Sequence, residues 1–400
     1  MTFSPYRRHA VVTAVLVGLA VIASILLTSN GHSAMVLSVM TSLFVIGVSI
    51  LRIPGLHENH PVIARAALTA AALVATLFAT YFFSATTNFN LAIGAAMSIV
   101  LLGLSFLTGA SGQISLGNSA FMGVGAFAMA IWANHHTTTP IVVSLLIAVV
   151  AGALVGLLLG LPATRLRGPY LAGMTLAFAV AFGAILASFN SWTGGDAGLQ
   201  LPSAVTPPHW LTSLYQSGTS LLTTNTMWLA DISIVVTGVA FFFMGNIFAS
   251  RTGRAMRLIR DNDVAAELVG VSLPRTRVIA FVISSAYAAL GGALWTLINN
   301  SVSPSTYSFA LSITILSLVV IGGIGTIPGA LIGGLIYAYS SAVISWIVNQ
   351  TGLKPQGNFA SQLNGIIFGV LLIGVMLFAP MGISGAVLRV WRKHRNHLQG

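Results

Sequence analysis

Long apolar runs alternate with short polar breaks from residue 10 to residue 381. A helix needs ~20 mainly apolar residues to cross a bilayer core of ~30 Å. Within lipid such a run satisfies its own backbone hydrogen bonds only as a helix. The pattern predicts spans at 10–28, 34–51, 62–83, 91–108, 118–133, 141–161, 169–189, 228–249, 277–298, 310–325, 328–349 and 364–381. Two of them, 118–133 and 310–325, are short enough to be re-entrant or broken helices. The expected fold class is all-α: a polytopic helical membrane protein with about 10–12 transmembrane or re-entrant helices. The first run follows Arg7 and Arg8, as a signal peptide would. It is longer than a signal core, and Thr28-Ser29-Asn30-Gly31 offers no A-x-A cleavage site, so a retained first helix is expected.

Composition agrees with lipid as the solvent. Only 6% of the 400 residues are charged and 56% are hydrophobic, with a mean hydropathy of +0.93, whereas a soluble domain carries about 25% charged residues. The absence of cysteine excludes disulfides, thiolate metal sites and cysteine nucleophiles. The net charge of +11 does not indicate nucleic acid, because the basic residues sit between apolar runs and at the two ends. Threading the spans with the N-terminus inside puts sixteen of the seventeen basic residues on the cytoplasmic side and only Lys354 outside. That is the bias of the positive-inside rule, and it gives an N-in, C-in chain. Three blocks are expected: N-terminal transmembrane helices over 1–89 (about three spans), a permease core over 90–385, and a basic cytoplasmic tail over 386–400.

Two segments are long enough to act outside the bilayer. Residues 190–227 form an external loop rich in Ser, Thr, Pro and Gly, and residues 250–276 form a cytoplasmic loop. That second loop, with Arg277 beside it, holds six Arg, two Asp and one Glu, nine of the chain's 23 charged residues. It reads as two short helices. Thr252 can cap the first, which runs to about Arg260, and Asp261-Asn262-Asp263 supplies a break and a new cap. The second runs from Val264 to Val269 and ends at Gly270, with Pro274 beyond. Arg257 and Asp261, four apart, can form a weak surface pair. Val264, Leu268 and Val269 beside Ala265 and Ala266 suit docking into a groove on a partner; a basic connector lying on anionic headgroups is the other reading.

The string Arg254-Ala255-Met256-Arg257-Leu258-Ile259-Arg260-Asp261-Asn262-Asp263-Val264-Ala265-Ala266-Glu267-Leu268-Val269-Gly270-Val271 resembles the coupling loop of the Liv-type branched-chain amino acid ABC permease family. The general importer pattern there is E-A-A, three residues, then Gly. Ala265, Ala266 and Gly270 match it, while Val264 stands where the Glu would be. The resemblance implies that Arg254, Arg257, Arg260, Asp261, Asp263, Ala265, Ala266, Glu267 and Gly270 couple the membrane helices to an ATPase.

A second string, Ser111-Gly112-Gln113-Ile114-Ser115-Leu116-Gly117-Asn118-Ser119-Ala120-Phe121-Met122-Gly123-Val124-Gly125-Ala126-Phe127, resembles the same family. Its glycines permit close helix approach and unusual backbone angles. Gln113, Ser115, Asn118 and Ser119 put hydrogen-bonding groups at membrane depth, where non-helical backbone is tolerated only if buried in protein or lining a watery cavity. Gly112, Gln113, Ser115, Gly117, Asn118 and Gly123 are therefore candidates for the translocation pathway or for helix packing. Further strings at 168–179, 192–199 and 322–330 resemble the family in order, covering about 90 to 380. The external Trp192–Leu199 element suits either contact with a docked protein or a simple loop turn. Proton coupling would be one use for Asp231, but it reads rather as a helix N-terminal carboxylate at the interface.

Other chemistries fail. Gly109-Ala110-Ser111-Gly112 copies the nucleophile string of rhomboid proteases, but no His after Ser111 lies within a predicted span. There is no H-E-x-x-H and no G-x-x-x-x-G-K-[ST] loop, so neither zincin chemistry nor ATP hydrolysis belongs to this chain. An ion-coupled secondary transporter or channel is the alternative function, although such carriers usually bury ionisable groups and these spans hold almost none. The family resemblance implies a non-enzymatic permease subunit of an ATP-driven importer in the bacterial inner membrane. It would bind no cofactor itself. Its partners would be two cytoplasmic ATPase subunits using ATP and Mg, a second homologous permease, an external solute-binding protein and membrane lipid.

Overall fold

The structure, a computed structural model, describes residues 83–136, 139–166, 169–201, 221–351 and 382–385, with single positions at 70, 73, 76, 77, 80, 369 and 373. The spans expected at 10–28, 34–51 and most of 62–83 and 364–381, both chain ends, loop residues 202–220 and the tail at 386–400 lie outside the described residues.

Ten helices are labelled among the described residues. They are α1 (Ala85–Ser111), α2 (Asn118–His135), α3 (Ile141–Ala163), α4 (Pro169–Ser188) and α5 (Leu221–Ala249). Next come α6 (Arg251–Asp261), α7 (Asp263–Leu268), α8 (Leu273–Asn299), α9 (Phe309–Gly322) and α10 (Ile327–Thr351). Five of these, in α1, α3, α4, α5 and α8, are long and apolar enough to cross a membrane. The only sheet among the described residues is a two-residue ladder of β1 (Leu199–Gln200) with β2 (Ser301–Val302), paired antiparallel. The protein is an all-α polytopic membrane protein.

The chain divides into two units. The first takes Met1–Phe89 and Thr206–Phe242. Within it the Thr80 hydroxyl donates to Asp231 Oδ1 at 2.7 Å, and Asn88 Nδ2 donates to the Thr80 carbonyl. Asp231 is therefore not a helix N-terminal carboxylate. Helix α5 already starts at Leu221, so Asp231 lies about three turns inside it.

The second unit takes Asn90–Val205 and Phe243–Gly400. Its core is α8 packed between α2 and α3, and the contact is close because glycines meet backbone. A Cβ at Gly125 would overlap Ala289, one at Gly292 would overlap the Met122 carbonyl, and one at Gly156 would overlap Ser285. Without a strong hydrophobic force between helices in lipid, such close van der Waals packing is what holds them together. The outward face of α3 is exposed Val142, Leu146, Val150, Leu154, Leu158 and Leu161, as befits a lipid-facing surface.

The ends of this unit differ in charge. At one end Arg260 donates to the Gly109 carbonyl, Gln113 donates to the Arg277 carbonyl, and the Gly325 amide donates to Ser105 Oγ. At the other end lie the β1–β2 ladder and the segment from Asn300 to Ser308, without a lysine or arginine. The basic end is the cytoplasmic one.

The two short spans resolve in distinct ways. Helix α2 has 18 residues, or ~27 Å, and is entered through a non-helical segment at 112–117. Helix α9 has 14 residues, or ~21 Å, too short to cross alone. Buried Pro304 and Tyr307 precede it, and the Gly323–Gly325 turn, with φ of 120° and 74°, reverses the chain into α10.

Candidate functional site

The cytoplasmic loop is built as two helices, with changes from the sequence reading. Helix α6 is capped by Ser250, whose Oγ accepts from the Gly253 amide, and not by Thr252, which lies inside the helix. Ser250 wins because α5 ends one residue earlier, so Ser250 alone has extended backbone there. Asn262 caps α7, its Oδ1 accepting from the amides of Val264 and Ala265. Gly270, at φ 82°, closes α7: its amide donates to the Glu267 carbonyl and the Val271 amide donates to the Ala266 carbonyl. Only glycine holds that left-handed position without strain. Pro274 follows α7 as expected and also opens α8, where its missing amide costs nothing.

Every third residue of α6 faces inward. Gly253, Met256 and Ile259 are buried, while Arg254, Arg257 and Arg260 remain exposed. The arginines are engaged. Arg254 donates to the Ala249 carbonyl and Arg257 to those of Phe248 and Gly253, so both close the C-terminal end of α5. Arg257 thus does not pair with Asp261. That carboxylate is taken by Arg260 at 2.9 Å on the surface, an exposed pair worth little. Arg277 bridges to Asp263 at 2.7 Å and ties α7 to α8.

A small core of Ile259, Ala266 and Leu273 seats the loop on itself. Ala266 is fully buried, whereas Val264, Leu268 and Val269 are 67%, 84% and 68% exposed. Ala265 is half-buried and Glu267 is exposed beside them.

Arg260 connects this loop to the second candidate segment. Its guanidinium bonds the Gly109 carbonyl, and its aliphatic stem comes within 3.0 Å of where a Cβ on Gly112 would stand. From Gly112, at φ 70°, the chain runs non-helically into the bundle. Gln113 Nε2 donates to Ser111 Oγ, the Leu116 amide donates to Thr175 Oγ1 on α4, and Ser115 Oγ accepts from the Gly117 amide. Gln113, Ser115, Gly117, Asn118 and Ser119 are all buried. The Ser119 amide and hydroxyl both pair with Ser312 Oγ of α9. Gly123 lies against Phe182 and Tyr307. Ser111 Oγ donates to the Leu107 carbonyl, an ordinary helix-end bond and no nucleophile's geometry.

The external Trp192–Leu199 element is a rigid turn. Thr193 Oγ1 donates toward the Leu186 and Phe189 carbonyls, and Gly194, Gly195 and Gly198 all hold positive φ. Sequence reasoning missed Thr175 and Ser312, which hold the 112–119 segment in place. Each is one small hydroxyl among apolar neighbours and carries no signal until the distant partner amide is seen.

Apolar helices at spanning length, with a basic loop folded at one end, define a multi-pass helical membrane protein. The profile of the family described as "Branched-chain amino acid transport system / permease component" matches residues 86–376, and the chain belongs to that family. It is 28% identical over 297 residues to the high-affinity branched-chain amino acid transport system permease protein LivM of Escherichia coli, covering 71% of this chain and 67% of that protein. LivM of Salmonella typhimurium is 27% identical over the same shares. LivH of Salmonella typhimurium is 29% identical over 214 residues, 53% of this chain and 64% of that protein. No solved structure matches. The chain is a transport permease and not an enzyme, and it is a multi-pass protein of the inner membrane. Likeness to both LivM and LivH indicates a system of two permeases.

Proposed function

We propose that this permease carries branched-chain amino acids or related small solutes inward by alternating access, driven by ATP that separate subunits hydrolyse. The observation that carries the reading is the exposed apolar face of α7. Val264, Leu268 and Val269 stand in solvent on a helix whose opposite side, at Ala266, is anchored into the loop. Such a patch on an otherwise arginine-lined surface suits a groove on a partner better than it suits headgroups. Two cytoplasmic ATPase subunits would bind ATP and Mg, one under this loop and one under the second permease. An external solute-binding protein would deliver the cargo.

In this reading Ala265, Ala266, Glu267 and Gly270 form the docking helix and Asp261 and Asp263 its hinge. Arg254 and Arg257 hold the loop to α5, and Arg260 passes motion to Gly109 and Gly112. The segment carrying Gly112, Gln113, Ser115, Gly117, Asn118 and Gly123 is the part of the core that would move against α4 and α9. Residues 1–89 would serve as an N-terminal helical block and residues 90–385 as the permease core.

The test is uptake of labelled leucine into proteoliposomes holding this permease with its partner subunits and loaded binding protein. Uptake that needs internal or external ATP on the loop side, and not an ion gradient, is expected. Uptake driven by a proton or sodium gradient without ATP would favour the ion-coupled alternative and sink the importer reading. Reversing the charge of Glu267 or placing a bulky side chain at Gly270 is expected to remove ATP-driven uptake.

A further inference from the structure

Most arginines at the cytoplasmic end of the second unit are engaged by the protein itself. Arg254 and Arg257 bond carbonyls at the end of α5, Arg260 holds Gly109 and Asp261, and Arg277 holds Asp263. Arg165 and Arg275 differ. Both are exposed, and neither guanidinium makes a hydrogen bond or ion pair among the described residues. The packing of α3 on α8 brings the two together. Gly152 meets Ala289 and Ser285, Gly156 meets Ser285 and Val282, and Gly160 meets Phe281 and Val278. The helices therefore run antiparallel, and each turn of α3 is matched by one turn back along α8. Beyond α3 the chain stays coiled, since the Arg165 amide donates to the Pro162 carbonyl at 3.1 Å. One further turn sets Thr164 and Arg165 level with Pro274 and Arg275, in the first turn of α8. The loop's aspartates are already taken by Arg260 and Arg277, and Glu267 bonds neither free arginine. This pair of like charges is left for an anion from outside the chain.

Depth says which anion. Helix α3 is a spanning helix of 23 residues, and Arg165 follows its cytoplasmic end, at the level of the headgroups. Leu154, Leu158 and Leu161 lead down to it, all exposed on the lipid-facing side of α3. Tyr170, exposed at the start of α4, has the apolar ring and polar tip that favour the same interface.

We propose that Arg165 and Arg275 together hold the phosphate of an anionic phospholipid of the cytoplasmic leaflet, with an acyl chain laid along Leu161, Leu158 and Leu154. A guanidinium donates two parallel hydrogen bonds to phosphate oxygens, and two of them neutralise a headgroup that carries no cation of its own. A zwitterionic headgroup brings an ammonium that competes for the same phosphate. Free phosphate satisfies the arginines alone, whereas a lipid also covers the leucine strip, so the site is committed to lipid. The site concerns the membrane and not the cargo, and it stands whichever solute the permease carries.

The experiment titrates full-length permease in a neutral detergent with phosphatidylglycerol or phosphatidylcholine. The apparent Kd is read from the rise in melting temperature that a bound ligand produces. Arg165→Gln and Arg275→Gln should each weaken phosphatidylglycerol binding about fivefold, and the double variant about twentyfold. Arg251→Gln removes the same charge from a free arginine at the start of α6 and should stay within twofold of wild type. Without lipid the double variant should melt no lower than wild type, because only a like-charge pair is lost. The proposal is overturned if R251Q weakens binding as much as R165Q, which would mean diffuse attraction and no site. Equal binding of phosphatidylcholine, or an equal rise with inorganic phosphate at the same concentration, also overturns it. A double variant that loses its ATPase subunits but keeps phosphatidylglycerol affinity would give the pair to a protein partner instead.

Discussion

Two short stretches of this molecule invert the usual placement of side chains, in opposite senses. The apolar Val264 and Leu268 of the six-residue α7, and Val269 just beyond it, stand in solvent. In the 112–119 segment polar Gln113, Ser115, Asn118 and Ser119 are buried in a bundle of apolar helices. Each placement is unfavourable for the chain by itself. An exposed apolar patch is relieved by a partner, and a buried unpaired amide is relieved by a ligand or a rearrangement. Arg260 joins the two, reaching from the loop to Gly109 and Gly112. The contrast teaches that two placements, each unfavourable by itself, are tied together through one arginine.

The comparison can be broken most severely at the surface. Leu268→Arg puts a charge into the exposed apolar patch without touching the Ile259–Ala266–Leu273 core. ATP-driven uptake should fall at least ~100-fold, with the ATPase subunits lost on co-purification, as expected for a desolvated interface anchor. Retained assembly would remove α7 from the interface. A smaller effect is expected at the joint. Arg260→Ala deletes the bond to Gly109 while leaving α7 intact. Uptake per ATP hydrolysed should drop about tenfold with assembly preserved, since a misplaced element far from the solute still costs that much. Equal coupling efficiency in the variant would separate the two regions.

Below these come effects on stability. Gly125→Ala sets a methyl group into Ala289 of α8, and overpacking of this kind costs about 1–3 kcal/mol. A melting temperature several degrees lower in detergent is the readout. Smallest is the pair that ties α7 to α8. Asp263→Asn should cost about 0.5–1 kcal/mol, because Asp263 is a third exposed and screened. The loss should shrink at high salt, and the reversed pair Asp263→Arg with Arg277→Asp should recover most of it.

Several local features were legible because they depend on neighbours in the chain. The Asp261-Asn262-Asp263 break supplies a cap as expected, and the structure puts it on Asn262; Gly270 ends α7 as expected. The errors share a cause. Thr252 and Ser250 are both residue types that cap helices, and the choice turned on where α5 ends. The Arg257–Asp261 pair looked right by spacing, but the unpaired carbonyls at the end of α5 drew Arg257 away. Asp231 was misplaced because nothing in its own run shows that α5 begins ten residues earlier, or that Thr80 supplies its hydrogen bond.

By itself, then, the sequence determined membrane residence, helical class, the cytoplasmic side and the family. Hydropathy, charge bias and ordered motifs act along the chain and need no partner to be read. Only the tertiary structure decided which polar groups are satisfied. Thr175 and Ser312 lie 59 and 193 residues from the amides they hold, and the same packing that satisfied those amides left Asn118 without a partner. Hydrogen-bond satisfaction is a property of what surrounds a group in space, and no local pattern encodes it.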